Sequence, residues 1–165
     1  MKTLFRTPAL LGAALALSLL AGCGQGSSGG AAVDDSPEGA AFQYRQGLMR
    51  AIAWKTGQLR GMAQGEIPVD EAVFRKSAAD LAVLASMTTE GFIPNSAVAG
   101  SAALPEVWTN WNDFVQKSAD FENAAQALAD GAQSGGVQAA GNLVQAVGQS
   151  CGACHRPYRR RAEGG

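Results

Sequence analysis

The segment Cys151-Gly-Ala-Cys154-His155, near the C-terminus, holds two thiols three residues apart and an imidazole directly after the second thiol. This spacing is the attachment signature of a c-type haem. The two thiols add across the vinyl groups of a haem as thioethers, and the next side chain is then held under the iron. His155 is the only histidine of the chain, so bis-histidine ligation within one subunit is excluded. The pattern predicts one covalently attached haem c with His155 as an iron ligand.

A Cys-x-x-Cys pair also serves as a thiol redox centre or as half of a zinc site. Thioredoxin-like chemistry is typical of a βαβ context, which this sequence lacks. Structural zinc usually takes four ligands, and beyond Cys151, Cys154 and His155 the sequence has no second cluster. The sequence therefore favours haem over both alternatives.

The motif belongs to an apolar stripe that recurs at steps of three and four residues. This period is typical of an amphipathic helix that faces a core. Both cysteines are therefore predicted to point inward, where a haem would be buried between helices. The stripe consists of Val137, Ala140, Val144, Val147, Cys151, Cys154 and Tyr158.

No stretch of the remaining domain has a convincing period of two, so we expect an all-α fold with four helices. Trp54, Trp108 and Trp111 are most simply packing residues, and Trp111 falls on the inward stripe of the third helix. Four helices with inward stripes and mostly short links predict an antiparallel four-helix bundle. The first helix is expected at about 38–63, with Ser36 as its N-cap, and the second at about 70–87, with Asp70 as its N-cap. The third is expected from 105 to the glycines Gly131 and Gly135-Gly136, and the fourth from 137 to the basic tail.

The N-terminus is predicted to be a processed targeting segment. Lys2 and Arg6 precede an apolar run, residues 8–20, which is too short to span a bilayer comfortably. The run ends in Leu20-Ala21-Gly22-Cys23, which resembles the lipobox of a bacterial lipoprotein signal. Cys23 would then become the lipidated first residue of the mature chain. The alternative is an ordinary secretory signal in which Cys23 is incidental.

The predicted organisation is a signal peptide (1–22), a Gly/Ser-rich flexible tether (23–37) and a helical domain (38–165). Loss of the two cations of the signal takes the formal net charge from −1 to −3, and nothing in the sequence suggests a nucleic-acid partner. Export implies an oxidising compartment, so we expect a periplasmic protein held on a membrane by its lipid. Gly24, in place of the Asp that retains some lipoproteins at the inner membrane, slightly favours the outer membrane.

Three segments make the domain resemble the cytochrome c′ family, the class II c-type cytochromes. They are Tyr44–Met49, Leu104–Trp108 with Trp111, and CGACH with Tyr158-Arg159. The resemblance covers roughly residues 38–160. It implies a four-helix bundle with one haem c attached through Cys151 and Cys154 and bound at the iron by His155.

The same resemblance assigns roles to three further polar residues. Arg45 is expected near a haem propionate, Gln46 beside it at the mouth of the pocket, and Arg159 close to His155. Pro157 lies between His155 and Arg159 and removes a helical hydrogen bond. We therefore expect the last helix to kink or end there, which would redirect Arg159.

Met49 lies four residues after Arg45 and three after Gln46, so all three share one face of the first helix. In cytochrome c′ itself the matching position holds an apolar side chain, and the five-coordinate iron is open to small gases. A methionine here resembles the low-spin relatives, in which the thioether closes the sixth site. A Met/His pair favours electron transfer. The alternative is a five-coordinate cytochrome c′ that binds nitric oxide or carbon monoxide, with Met49 as core filler.

The sequence offers little to an enzyme, because it has no Ser/His/Asp set, no phosphate-binding loop and no second histidine to act as a base. Expected partners are redox proteins, and the resemblance is compatible with a homodimer through the first two helices. The basic tail complements the C-terminal dipole of the last helix, and steering of a redox partner is its alternative use. The tail contains Arg156, Arg159, Arg160 and Arg161.

Overall fold

The computed structural model describes residues 35–161, and regular structure within them is entirely helical. The predicted signal peptide, Cys23 and nearly all of the predicted tether lie outside the described residues. Across residues 35–161, no helix has the length and apolar character needed to cross a membrane. The helices are α1 (Pro37–Ala63), α2 (Glu71–Ser86), α3 (Glu106–Thr109) and α4 (Trp111–Tyr158).

Helices α1 and α2 begin at the capping residues that the sequence predicts. The backbone N–H of Gly39 donates to Ser36 Oγ at 3.0 Å, and the N–H of Val73 donates to Asp70 Oδ1 at 3.0 Å. Each cap satisfies a backbone donor that the first turn leaves unpaired and contributes about 1 kcal/mol. The predicted bounds of both helices are confirmed to within about a residue.

Helix α4 is broken at Gly135 and Gly136, whose backbone angles are not helical. Gly136 has φ 61° and ψ −149°, a conformation that is essentially restricted to glycine. The break divides α4 into a first arm (111–134) and a second arm (137–158). With α1 and α2, these arms form the predicted four-helix bundle. The first arm passes through Gly131, so the prediction that Gly131 helps to end this helix is wrong.

Two residues of α2 fasten the break in α4. The N–H of Val137, at the start of the second arm, donates to the carboxylate of Glu71 at 3.3 Å. Arg75 Nε donates to the carbonyl of Ala132, near the end of the first arm, at 3.1 Å. A carboxylate thus meets a helix N-terminus and a guanidinium meets a helix C-terminus, and both arrangements suit the helix dipoles.

The third predicted helix does not run without interruption from residue 105. Asn110, with φ −116° and ψ 41°, separates the one-turn α3 from α4. The Trp108 indole N–H donates to the carbonyls of Phe92 (3.2 Å) and Ile93 (3.0 Å), so α3 is held by the preceding loop. Trp54 is 68% exposed, so the prediction that it is a packing residue is wrong. Trp111 is 38% exposed, and the centroid of its ring lies 5.5 Å from that of Phe114.

The core consists of two clusters of buried side chains. The main cluster runs along the bundle and joins α1, α2 and both arms of α4, with Leu59, Phe74 and Leu128 among its fully buried members. Each such side chain contributes roughly 1.5–3 kcal/mol through burial. A smaller end cluster is formed by Val107, Phe114 and Tyr158, where α3 and the start of the first arm meet the end of the second arm.

Candidate functional site

The second arm of α4 carries the Cys-x-x-Cys-His segment on the inward stripe that the sequence predicts. Ala140, Val144, Val147 and Tyr158 are buried, and both cysteines are half-buried. Cys151 packs against the main cluster and Cys154 against the end cluster. Both thiols are free. They therefore lie one helical turn apart on the packed side of the arm. Attachment of a haem through its two vinyl groups requires two thiols that are close together in this way.

The surroundings of the two thiols do not suit thiol redox chemistry. Burial raises the pKa of Cys151. Burial, followed by the neighbouring Cys151, raises the pKa of Cys154 to about 11. Reactive cysteines have lowered pKa values because the thiolate is the nucleophile. Among residues 35–161, no group of three or more His, Cys, Asp and Glu side chains is arranged to hold a metal ion.

His155 directly follows the second thiol and is exposed on the second arm. Partial burial lowers the pKa of His155, and the positive charge of Arg159 lowers it further. Both effects favour the neutral imidazole, which is the form that binds iron. A donor set of two half-buried thiols one turn apart, with an imidazole directly after the second thiol, fits a covalently attached haem.

Arg45 lies on α1 and is only 6% exposed, and no carboxylate among residues 35–161 forms an ion pair with it. Its guanidinium donates to the carbonyl of Gly91, to Ser96 Oγ at 2.8 Å and to the Ser96 carbonyl at 2.6 Å. It also lies 4.9 Å from the centroid of the Phe92 ring. Burial lowers the pKa of this cation. Arg45 therefore clamps the loop at residues 91–101 to α1, a role that was not predicted from the sequence.

Met49 lies one turn after Arg45 and is half-buried against the main cluster. The same cluster contacts Cys151 on the second arm. Gln46, which lies between Arg45 and Met49 on α1, is half-buried, and its Oε1 accepts a hydrogen bond from Arg50 at 3.4 Å. The fold thus brings the predicted sulfur ligand and the first attachment cysteine to one shared core. Ligation of the iron by Met49 and contact of Arg45 with a haem propionate both stay predictions.

Pro157 is followed by the end of α4, one of the two outcomes that the sequence predicts. The helix closes at Tyr158, and Arg159 takes an extended conformation with φ −125° and ψ 129°. The N–H of Leu104 donates to the Tyr158 carbonyl at 3.0 Å, and the N–H of Arg160 donates to the Ala102 carbonyl at 2.8 Å. The chain after Pro157 is therefore held along residues 102–104, close enough for Arg159 to act on the charge of His155.

A polar pair beside the second thiol was not predicted from the sequence. Tyr158 donates its hydroxyl proton to Asp113 Oδ2 at 2.5 Å, and Asp113 also faces Lys117 at 3.4 Å. The hydrogen bond with Asp113 raises the pKa of Tyr158 to about 12, and the same bond lowers the pKa of Asp113. The pair joins the first arm to the second arm next to Cys154. Because Asp113 and Tyr158 are 45 residues apart, no local pattern could have revealed it.

The family model described as "Cytochrome C'" matches residues 40–159. The chain belongs to the cytochrome c′ family. It is 37% identical over 126 residues to cytochrome c-554 of Cereibacter sphaeroides, a match that covers 73% of this chain and 92% of that protein. Members of the family carry one covalently attached haem c, and this chain is a monohaem c-type cytochrome of that family.

Solved structures of the same family have this fold. Cytochrome c prime from Shewanella frigidimarina is 33% identical, with a TM-score of 0.72, and the match covers 78% of this chain and 99% of that one. The nitric oxide complex of a point mutant of cytochrome c prime from Alcaligenes xylosoxidans is 29% identical, with a TM-score of 0.70 over 77% of this chain and 98% of that one. The prediction of an all-α four-helix bundle is confirmed.

Proposed function

We propose that this protein is a periplasmic electron carrier whose single haem iron is held between His155 and Met49, on the pattern of the low-spin branch of the family. The observation that carries the proposal is the position of Met49. Its side chain is half-buried on α1 and packs against the same core cluster as Cys151 of the second arm. A thioether on α1 and a thiol on the second arm, both packed against that cluster, suit a haem inserted between the two helices.

Each residue of the site then has a defined task. Cys151 and Cys154 would attach the haem to the second arm, His155 would bind the iron as a neutral imidazole, and Met49 would supply the second ligand from the protein. When bound, the haem supplies a one-electron couple whose potential is raised by Met/His ligation. The chain itself only holds this group, keeps water from it and presents it to partners. No residue has to move a proton, which supports a carrier and not an enzyme.

The polar residues proposed around the haem fit the same arrangement. Arg45 and Gln46 precede Met49 on one face of α1, so they would line the mouth of the pocket, with Arg45 beside a propionate. Arg159 lies near His155, where its positive charge favours the neutral imidazole. These three residues are therefore proposed to set the electrostatics of the site.

The cellular setting is also a proposal. The lipobox-like segment that ends at Cys23 supports a lipid anchor on a bacterial membrane, with the outer membrane slightly favoured by Gly24. Acylation through several chains holds a protein firmly at a membrane. Residues 24–37 would then act as a tether that lets the domain reach redox partners in the periplasm.

A homodimer through α1 and α2 is proposed on two exposed apolar side chains. Trp54 on α1 is 68% exposed and Val83 on α2 is 64% exposed. A large aromatic side chain in such a position is typical of a contact with another protein. A second copy of the chain would cover both residues.

A gas-binding cytochrome c′ is the second candidate function. The observation that favours it is the likeness to the nitric oxide complex from Alcaligenes xylosoxidans. In that case Met49 would be a packing residue, a common use of its flexible side chain, and the sixth position of the iron would be open.

The two functions are separated by absorption spectra of the purified holoprotein, oxidised and reduced, before and after addition of carbon monoxide. The electron-carrier proposal predicts a low-spin spectrum that carbon monoxide barely changes. Met49→Leu should convert it to a high-spin spectrum with prompt carbon monoxide binding. Met87→Leu is the matched control, because Met87 is also half-buried against the main cluster but lies at the end of α2. A Met49→Leu variant that stays low-spin would exclude Met49 as the ligand.

A further inference from the structure

The end of the second arm carries four exposed arginines, Arg156, Arg159, Arg160 and Arg161, which we call the basic patch. In the part of the chain that the structure describes, the ion pairs engage other cations, so no described carboxylate neutralises the patch. The formal net charge of the whole chain is −1. The local charge around His155 is therefore opposite in sign to the net charge of the protein.

Backbone hydrogen bonds hold part of the basic patch in place. Arg159 forms an isolated antiparallel bridge with Ala103, and the N–H of Arg160 donates to the Ala102 carbonyl at 2.8 Å. Arg156 lies within α4 itself. The backbone that carries three of the four positive charges is therefore held in place within five residues of His155.

An apolar surface adjoins the basic patch. Trp111 is 38% exposed and Val115 is 37% exposed, both on the first arm. Trp111 also lines a shallow cleft of about 390 Å³, whose other lining residues are polar apart from the ring of Tyr158. The one carboxylate of this lining, Asp113, accepts a hydrogen bond from the Tyr158 hydroxyl. Tyr158 directly precedes Arg159, so the cleft and the basic patch meet at this point of the chain. Tryptophan, tyrosine and arginine are the residues that most often dominate protein–protein interfaces.

We propose that the basic patch and Trp111 form a docking surface for an acidic redox protein, which exchanges electrons with the haem beside His155. The inference rests on the proposed electron-transfer function. Opposite charges steer two proteins together and orient them, and here they would bring the partner to the residue that binds the iron. Anionic lipid is a poorer occupant, because a membrane against the patch would cover the haem that a partner has to approach.

The first test measures the local charge with a small anion. Reduced holoprotein is mixed with hexacyanoferrate(III), which takes one electron from the iron and becomes hexacyanoferrate(II), with no bond or proton transferred. Between about 0.01 M and about 0.1 M salt the screening length falls from about 30 Å to about 10 Å. If the basic patch governs the approach, the rate constant should fall several-fold, on the order of tenfold at most. A rate constant that rises with salt would follow the negative net charge and overturn the proposal.

Two charge-reversal variants locate the effect. Arg160→Glu changes the basic patch without touching the residues proposed to hold the haem. Arg60→Glu is the matched control, because Arg60 is exposed near the far end of α1, about 22 Å along the helix axis from Arg45 at 1.5 Å per residue. Arg160→Glu should slow the reaction and flatten its salt dependence, whereas Arg60→Glu should leave both nearly unchanged. Equal effects of the two variants would contradict a docking surface at this end.

The second test uses an acidic protein as acceptor, oxidised plastocyanin, at low salt. Arg160→Glu and Trp111→Ala should each lower its rate of reduction, and only Arg160→Glu should slow hexacyanoferrate(III). Vesicles of anionic phosphatidylglycerol or of neutral phosphatidylcholine are then added. A lipid anchor would insert into both kinds of vesicle, so only a difference between them reports on the basic patch. Selective inhibition by phosphatidylglycerol would assign the basic patch to anionic lipid and overturn the proposal. The absorption spectra that report on Met49 ligation do not depend on Arg160. They would therefore reveal a failure of the proposed function independently of a failure of the docking surface.

Discussion

Replacement of Gly136 by alanine should destabilise the protein strongly, whereas the same replacement at Gly57 should stabilise it. Gly136 holds the break in α4 at φ 61° and ψ −149°, and a Cβ atom there would lie 2.0 Å from Glu71 Oε2. The backbone conformation costs about 1–3 kcal/mol for any other residue. Displacement of Glu71 from the N–H of Val137 would remove a helix cap worth about 0.5–2 kcal/mol. We expect a loss of about 3 kcal/mol in the free energy of unfolding.

Gly57→Ala is the matched control. Gly57 is exposed in the middle of α1, and a Cβ atom there would meet nothing within 4 Å among the described residues. Alanine is favoured over glycine in a helix interior by about 1 kcal/mol. Two variants with the same chemical change should therefore differ by about 4 kcal/mol, in opposite directions from the wild type.

Urea unfolding of the holoproteins, followed by far-ultraviolet circular dichroism, measures both differences. The haem spectrum of each folded variant should match the wild type, because neither glycine is part of the proposed site. A Gly136→Ala variant whose free energy of unfolding falls by less than about 0.5 kcal/mol, the range of ordinary surface substitutions, would refute the reasoning. The break would then be able to adopt another backbone path without cost.

Three further changes test other parts of the molecule. Arg45→Leu should lower the free energy of unfolding by about 3 kcal/mol, because buried acceptors of the 91–101 loop lose their donor; a loss under 1 kcal/mol in urea unfolding would exclude a clamp. Trp54→Glu should raise the dissociation constant of a homodimer by more than about 30-fold, the effect of an interface hot spot of 2 kcal/mol, as measured by light scattering; a monomeric wild type would rule the contact out. Cys23→Ser should move the protein from the membrane to the soluble fraction of cells, and a wild type already soluble after export would argue against lipidation.

The sequence predicts those parts of the fold that depend on local physics. Ser36 and Asp70 cap helices because their side chains reach a backbone N–H three residues away, and this needs no tertiary information. The stripe through Cys151 and Cys154 is equally predictable, because helical periodicity alone places both thiols on the packed side. The inward position of the attachment motif therefore follows from the sequence.

One local pattern gave a wrong prediction because tertiary contacts decided the outcome. Trp111 continues a regular stripe with Val107 and Phe114 in the sequence, but the Trp108 indole bonds to the preceding loop and the helix breaks at Asn110. After the break, Phe114 stays buried, whereas Trp111 turns toward solvent. A periodicity of three and four residues holds only within one unbroken helix.

Arg45 shows why a family role and a fold role have to be considered together. The resemblance implies a propionate contact, whereas the structure gives Arg45 four hydrogen bonds with the 91–101 loop. All four use the terminal nitrogens Nη1 and Nη2, and an arginine has a further donor at Nε. The loop clamp therefore leaves one N–H of Arg45 available for a haem carboxylate without loss of the existing bonds. If both contacts are made, the clamp itself fixes the plane of the guanidinium, and the loop helps to position the charge that faces the haem.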